Sequence, residues 1–381
     1  MSRGDPADRF SPARWQPRPA LPGDNHGLIS LAAACPMEGD IGLCVHRSPD
    51  FFALSRLEGK QWRVAVVDAE DGTLAGCIGI AERRAYLHGA ERQVMYVGDL
   101  KVHPEHRGSG AGEALIRHAW HTCREIGGDD VPALITVLGG NAAMERRAEG
   151  PRGVPPWTRF ARLKAHSVSL LWQRKVPAIP GMRAERARAD DLEAMEALWR
   201  RLAPARHFSP AFEAGGFEAW IDQAPGLGPE SYWLLRGDDD RIAAFLGLWD
   251  QEVFKQTRVV RYSRPLTAFR LLFNLLAPLA GAARLPGPGR TMHYLTGVHL
   301  CVPPDRPDML RALILSAYNA LRGRGYAFFT VGLDAKDPLS EAFEGLLAQV
   351  TEIDAYVTCP AGRYRGPALD GAPLHFEIAL V

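Results

Sequence analysis

Three glycines within five positions, between a predicted strand and a predicted helix, constrain this chain more than any other feature. The stretch RGSGAG (107–112) follows an apolar run that ends at Pro104, and it precedes an amphipathic helix predicted over 110–126. A glycine costs roughly 0.5–1 kcal/mol in regular structure, so the cluster indicates that another molecule approaches the backbone closely. The start of a helix offers unpaired N–H groups and the positive end of its dipole, which favour an anion such as phosphate.

Three known phosphate-binding patterns can be compared with this loop. A P-loop requires Lys and Ser or Thr after its last glycine, but Glu113 and Ala114 stand there. A Rossmann fingerprint requires GxGxxG after the first strand, whereas this loop has GxGxG after the fourth or fifth. The third pattern, [Q/R]-x-x-G-x-[G/A] between a strand that ends in L-x-V-x-P and an amphipathic helix, matches.

The loop therefore resembles the pyrophosphate loop of the GNAT superfamily, the acetyl-CoA-dependent N-acetyltransferases. The resemblance covers about 26–172 in detail. It implies that the strand edge pairs with the pantetheine amides of acetyl-CoA and that the backbone of the loop holds the pyrophosphate. These cofactor-binding residues are Leu100, Lys101, Val102, Arg107, Gly108, Ser109, Gly110, Ala111 and Gly112. It also places Asn141 near the pantetheine arm, with an ordinary helix N-cap as the alternative.

Length and composition narrow the class of protein. A chain of 381 residues exceeds one ordinary core, so two domains are expected. Lys plus Arg number 45 and Asp plus Glu 44, a balance that gives no electrostatic argument for a nucleic-acid partner. The six cysteines are scattered without a CxxC pair, so neither a disulfide framework nor a metal site is expected. Residues 1–25 have no apolar signal region and are predicted to form a flexible leader of a cytoplasmic protein.

The pattern of apolar residues predicts a mixed α/β sheet. In the first half we expect a short strand at 26–33, a helix at 48–59, strands at 61–68, 74–86 and 92–104, the helix at 110–126, a strand at 133–140, a short helix from Asn141 and a strand at 164–172. Such an order fits a sheet built around one strand–helix–strand unit.

The second half repeats this pattern. "GVHLCVPPDRPDMLRALILSAY" corresponds to "DLKVHPEHRGSGAGEALIRHAW", and strands are expected at 293–305, 326–334, in "AYVTC" and in "HFEIALV". The sequence therefore predicts two tandem GNAT-like domains, over 26–175 and 176–381. The second loop has lost every glycine, so the C-terminal copy is predicted to be degenerate and to shape the acceptor site or the domain interface.

One strongly apolar segment begins at Leu266. Its uncharged run of 13 residues is too short to span a bilayer. A buried helix is the expectation. The wall of an acyl-chain pocket and a helix at a membrane interface are the alternatives.

Transfer of an acetyl group to an amine requires a deprotonated amine, a polarised thioester and a protonated thiolate. The resemblance implies a base on or near the central strand, for which Asp99 is the candidate, with a structural Asp at a strand bulge as the alternative. The tyrosine that usually serves as acid is replaced by Ala148. Tyr96 is the candidate substitute, with a core tyrosine as the alternative.

The predicted function is transfer of an acetyl group from acetyl-CoA to a primary amine of a small molecule or a peptide. One alternative is an N-acyltransferase that uses a longer acyl-CoA. Another is a catalytically silent module that binds acyl-CoA. No nucleic-acid partner and no membrane span are expected, and an oligomer is possible.

Overall fold

The computed structural model describes residues 15–37, 39–150 and 154–381 and shows a mixed α/β architecture. The strands are β1 (Arg18–Pro19), β2 (Ile41–His46), β3 (Gln61–Asp68), β4 (Leu74–Leu87), β5 (Ala90–Val102), β6 (Ala133–Leu138), β7 (Thr158–Ser169), β8 (Met182–Arg186), β9 (Tyr232–Gly237), β10 (Ile242–Trp249), β11 (Gln256–Tyr262), β12 (Tyr294–Cys301), β13 (Phe328–Asp334) and β14 (Ala348–Thr358). The α-helices are α1 (Asn25–Ala34), α2 (Ala111–Gly127), α3 (Ala142–Glu145), α4 (Leu192–Leu202), α5 (Gly216–Gln223), α6 (Arg264–Ala280) and α7 (Pro307–Leu321).

Within the described residues, twelve strands form one sheet in the order β1-β3-β4-β5-β6-β14-β7-β13-β12-β10-β9-β8, and β2 and β11 form a separate ribbon. The two halves of the chain occupy the two ends of the sheet and exchange their last strands. β14, from the second half, pairs antiparallel with β6, and β7, from the first half, pairs antiparallel with β13. Because β7 and β14 also pair with each other, the halves are joined into one continuous sheet.

Each half contains one parallel strand–helix–strand unit, as the repeated pattern predicts. In the first half, α2 connects β5 to the parallel strand β6. In the second half, α7 connects β12 to the parallel strand β13. The predicted fold class is therefore confirmed, while the domain boundaries 26–175 and 176–381 stay a prediction.

The helix after the glycine loop packs on the first half of the sheet. α2 buries Leu115, Ile116 and Ala119 against β4 and β5, in a cluster that includes Ile78 and Met95. Full burial of a side chain of the size of Leu or Ile stabilises the folded state by roughly 1.5–3 kcal/mol. This packing fixes the start of α2 beside the end of β5, where the predicted site lies.

The strand predicted at 26–33 is wrong, since these residues belong to α1. The side chains that α1 buries are Leu28, Leu31 and Ala32, at helical spacing. A short, continuous apolar run does not show by itself which periodicity it follows. Residues 15–25, expected as part of the leader, are packed: Trp15 is buried and Arg18 pairs with Asp24 and Asp68. The remainder of the predicted leader, residues 1–14, lies outside the described residues.

Two further element predictions differ from the structure. Residues 48–59 form two short 3-10 turns, Phe51–Ala53 and Ser55–Leu57, instead of one helix. "HFEIALV" (375–381) joins no strand of the sheet and ends in a 3-10 turn at Ile378–Leu380. Phe376, Ala379 and Leu380 are buried because the segment packs on β12 and, through Ile378, on β13, which needs no strand pairing.

The prediction of a buried helix after Leu266 is also wrong. The segment forms α6, and most of its large apolar side chains are exposed. Asn274 exchanges two hydrogen bonds with Leu285, so the chain returns along one side of the helix and leaves the other side open. Among the described helices, none is both long and apolar enough to cross a membrane.

Candidate functional site

Strands β5 and β6 run side by side over three residues and then diverge. Their parallel pairing joins Met95–Val97 to Ala133–Ile135 and ends there. Beyond this point β5 stays paired with β4, and β6 stays paired with β14. The edge of β5 over 98–102 therefore faces a gap that no strand of the described chain fills. Main-chain groups along such an edge can pair with an extended ligand. The oxygen of Val102 already accepts long hydrogen bonds, both 3.4 Å, from Cys35 Sγ and Arg107 Nε.

The glycine loop leaves the start of α2 uncovered. Gly108 has a φ of +79° and Gly110 a φ of +95°, a region in which residues with a Cβ are strained. Gly110 occupies the N-cap position of α2 and has no side chain to cover it. The first hydrogen bond of the helix runs from the N–H of Ala114 to the oxygen of Gly110, at 3.0 Å. The three N–H groups before Ala114 therefore have no acceptor within the helix and can hold an anion.

Two side-chain hydrogen bonds fix the conformation of the glycine loop. Ser109 donates its hydroxyl to the oxygen of His106 at 2.7 Å, and the Trp15 indole donates to the oxygen of Ser109 at 3.1 Å. A Cβ added at Gly112 would lie 3.2 Å from Cγ2 of Val102, so the helix start sits directly against the end of β5. The structure thus brings the predicted residues of 100–102 and 107–112 together at one corner of the sheet.

Asn141 follows the end of β6. Its side-chain oxygen accepts a hydrogen bond from the N–H of Met144 at 3.2 Å, so the side chain caps α3. Ala148, where the resemblance would place a tyrosine, lines a cavity of about 740 Å³. Tyr356 of β14 lines the same cavity, and burial raises the pKa of its phenol. The sequence did not point to Tyr356, because it reaches this half only through the exchange of strands.

Asp99 lies at a bulge, where the pairing of β4 with β5 changes register. The shift falls between Cys77 and Gly79, and Asp99 has a φ of +54°. Its carboxylate accepts a hydrogen bond from Arg47 at 2.5 Å and another from Lys101. About 30% of the Asp99 side chain is exposed, so the ion-paired carboxylate can be reached from solvent.

Tyr96 lies where the two strands separate. Its hydroxyl is 3.1 Å from Oγ1 of Thr136 on β6, and a Cβ added at Gly98 would lie 2.6 Å from that hydroxyl. The guanidinium of Arg83 stacks 4.1 Å from the ring centroid. Burial raises the pKa of the phenol, and the positive charge of Arg83 opposes this rise. The phenol is therefore neutral and able to donate a proton.

A small cavity of about 30 Å³ lies beside Asp99 and Tyr96, with Arg47, Glu58 and Val381 also in its wall. Close to it, the buried Lys255 donates to the main-chain oxygen of Val381, and burial lowers the pKa of Lys255 to about 7. These side chains come from distant parts of the chain, and no local motif identifies them. Within the described ranges, no group of three or more His, Cys, Asp or Glu is placed to hold a metal ion.

The second half has an equivalent bulge at His299, 200 residues after Asp99. His299 has a φ of +49°, and β10 and β12 shift register beside it. Nδ1 of its ring lies 2.8 Å from the Tyr232 hydroxyl, and its main-chain N–H donates to the Glu377 carboxylate at 3.1 Å. Here the parallel strands also diverge after three pairs, but Ile378 packs on Gly332 of β13.

Comparison with known proteins agrees with this geometry. Residues 37–147 match the model of the Acetyltransferase (GNAT) family. The whole fold is similar to a GCN5-related N-acetyltransferase from Sphaerobacter thermophilus, with a TM-score of 0.57, 16% identity and coverage of 91% of this chain and 96% of that chain. It is also similar to N-myristoyltransferase from Saccharomyces cerevisiae with bound myristoyl-CoA, with a TM-score of 0.61, 12% identity and coverage of 95% and 85%.

No curated protein matches the chain in sequence. The two structural similarities lie at low identity and establish the fold alone, whereas the family match covers residues 37–147. The diverging strands and the glycine loop both lie within, or at the edge of, the matched segment. Residues 37–147 therefore match the Acetyltransferase (GNAT) family, and the fold of the whole chain is similar to those of a GCN5-related N-acetyltransferase and an N-myristoyltransferase.

Proposed function

We propose that this protein transfers an acetyl group from acetyl-CoA to a primary amine of a small molecule or a peptide. The observation that carries the proposal is the gap between β5 and β6, with the uncovered start of α2 at its end. An extended pantetheine arm fits the free edge of β5 at 100–102. A pyrophosphate fits against the loop at 107–112, where the three N–H groups before Ala114 have no acceptor within the helix, and Asn141 would lie near the arm.

The chemistry follows from the groups near the gap. The amine nitrogen attacks the thioester carbonyl, a C–N bond forms, and the C–S bond breaks. The amine loses one proton, for which Asp99, directly or through water, is the proposed acceptor. The departing thiolate gains one proton, for which Tyr96 is the proposed donor because its buried phenol is neutral. Tyr356, in the cavity beside Ala148, is the second candidate donor.

A longer acyl donor is the second candidate function. The similarity to an N-myristoyltransferase over most of both chains supports it. The small size of the cavity beside Asp99 favours a short acyl group instead. Release of free CoA from donors of increasing chain length, with a panel of amines, distinguishes the two, because an acetyltransferase loses activity as the chain lengthens.

The first experiment is a calorimetric titration with acetyl-CoA of wild type, Gly110→Glu and Gly323→Glu. Gly110→Glu places a carboxylate in the cradle, so we expect binding to weaken by at least about 100-fold. Gly323 has a similar φ of +76° but lies after α7, so Gly323→Glu controls for strain and charge. Absence of binding by wild type would contradict the proposal. Binding without release of CoA across the amine panel would identify a silent acyl-CoA-binding module.

A further inference from the structure

Helix α6 presents an apolar face to solvent. Phe269, Leu272, Leu276 and Leu279 follow one another at spacings of three and four residues, so they lie on one side of the helix. All four are exposed, as are Leu271 and Leu275, and Leu275 and Leu279 are 74% and 86% exposed. Scattered exposed leucines are ordinary, but a contiguous row of this kind marks a surface that contacts something else.

The charge around this helix differs from that of the rest of the chain. Residues 253–304 contain seven Lys and Arg and no Asp or Glu, whereas the whole chain has a formal net charge of +1. Five arginines of this segment are exposed, and none of them pairs with an acidic side chain among the described residues: Arg258, Arg261, Arg264, Arg284 and Arg290. The main-chain oxygen of Asp40 accepts from the N–H of Ser263, so one acidic residue lies near the start of α6.

We propose that α6 is a membrane-surface helix that binds bilayers with anionic headgroups. An apolar face flanked by arginines has the composition of helices that lie in the interface, with leucines among the acyl chains and basic groups at the headgroups. The helix has 17 residues, fewer than the roughly 20 that a span requires, so it lies along the surface and does not cross it.

The charges also argue against a second copy of this chain as the partner. In a two-fold dimer the same patch faces itself, so arginines of one copy would approach arginines of the other. Like charges brought together without counter-charges oppose such an interface. An anionic bilayer offers both an apolar interior and negative headgroups, and it therefore satisfies both properties of the surface.

The β2–β11 ribbon connects the apolar face of α6 with the cavity beside Asp99. One end of the ribbon pairs His46 with Gln256, next to Arg47 and Lys255 in and near that cavity. The other end pairs Ile41 with Tyr262, two residues before α6 begins. Six residues of strand span about 20 Å, which sets the distance between the two sites. Membrane binding itself does not depend on the proposed transfer reaction.

The test is co-sedimentation of the full chain with vesicles of phosphatidylcholine alone and with about one third phosphatidylserine. We expect wild type to bind the anionic vesicles preferentially and to lose binding as salt rises. Leu272→Glu with Leu276→Glu should abolish sedimentation. Arg261→Glu with Arg264→Glu should weaken it by about 25-fold or more, because each basic residue near an anionic surface contributes about fivefold.

Matched controls are Leu347→Glu and Arg92→Glu, exposed residues elsewhere on the molecule that should leave vesicle binding unchanged. Circular dichroism verifies that the variants fold, which is expected because the changed side chains are at the surface. Failure of wild type to bind anionic vesicles would overturn the proposal. So would a dimer in sedimentation velocity that Leu272→Glu dissolves, since α6 would then bind a second copy.

Discussion

The two halves of this protein share a backbone arrangement and differ in the residues that lie between the diverging strands. Both have a bulge with a positive φ, at Asp99 and at His299, and in both the parallel strands diverge after three pairs. In the first half the gap ends at a glycine loop and an open helix start. In the second half α7 begins with Pro307 after a loop without glycine, and the segment 375–381 packs against the strands.

The difference shows that the splayed strands alone do not make a ligand site. Five aromatic rings of the described residues surround the ring of His299, with centroid distances of 4.4 to 6.2 Å: Trp199, Phe212, Phe217, Trp220 and Tyr232. His299 is almost fully buried, whereas Asp99 is accessible. The second half therefore uses the same geometry to build a core, and we expect its residues to determine stability and those of the first half to determine binding.

The largest expected effect is on folding. Trp199 is fully buried and donates its indole N–H to the oxygen of Pro210 at 2.8 Å. Trp199→Ala should lower the free energy of unfolding by about 3–5 kcal/mol, because it leaves a cavity and an unpaired carbonyl. The affinity for acetyl-CoA should change less than twofold. Urea denaturation followed by circular dichroism, together with calorimetry, measures both.

Trp120 of α2 provides the matching change in the first half. It is equally buried, but it lies on the helix whose start is the proposed anion site. Trp120→Ala should reduce both stability and affinity for acetyl-CoA. Loss of affinity in Trp199→Ala of more than tenfold would show that the second half takes part in binding the donor.

Acid should destabilise the core around His299. Burial lowers the pKa of His299 from 6.5 to about 4. Between these values the unfolded chain binds a proton that the folded protein does not, so stability is complete above pH 6.5 and is lost as the pH falls towards 4. The loss amounts to about 3 kcal/mol for His299 alone.

Burial also lowers the pKa values of His166 and His207 to about 4, so both add to the dependence of stability on pH in this range. His299→Gln retains a polar side chain without the titration, so its free energy of unfolding should fall less steeply between pH 6.5 and 4. Urea denaturation at several pH values measures the slope. An unchanged slope in His299→Gln would mean that His299 is not a source of the acid sensitivity.

The sequence predicted the corner formed by β5, the glycine loop and α2 better than the rest of the molecule, for a physical reason. The strand before Pro104, the glycine loop and α2 are local in the chain, and each carries its own signal of alternation, backbone freedom or helical spacing. Apart from Lys101, the neighbours of Asp99 are not local, because Arg47 and Val381 reach the cavity through tertiary packing. The exposed face of α6 was only an alternative to the expected burial, because an apolar run does not show against what it packs.

A smaller effect, on catalysis, is expected at Asp99. Asp99→Asn keeps the shape of the side chain but removes the proposed proton acceptor, so kcat should fall by about 100-fold, or about 2.7 kcal/mol. The affinity for acetyl-CoA should remain within about twofold, because Asp99 lies outside the anion cradle. Release of free CoA and calorimetry measure the two quantities. A kcat like that of wild type would leave Asp99 as a residue that only stabilises the bulge.

The smallest and most selective change compares Gly108→Ala with Gly323→Ala. The two glycines have φ values of +79° and +76°, and an added Cβ would meet nothing within 4 Å at either. Each substitution should therefore cost roughly the same 1–2 kcal/mol of stability from backbone strain. Gly108 belongs to the loop in front of α2, so only Gly108→Ala should also weaken acetyl-CoA binding, by about tenfold, as the strained loop turns its N–H groups away from the pyrophosphate. Thermal unfolding checks that the two substitutions lower stability equally, and calorimetry then compares the affinities of the two variants for acetyl-CoA. Equal affinities in the two variants would show that the backbone shape at Gly108 is not what holds the donor, and the uncovered first turn of α2 would have to account for binding by itself.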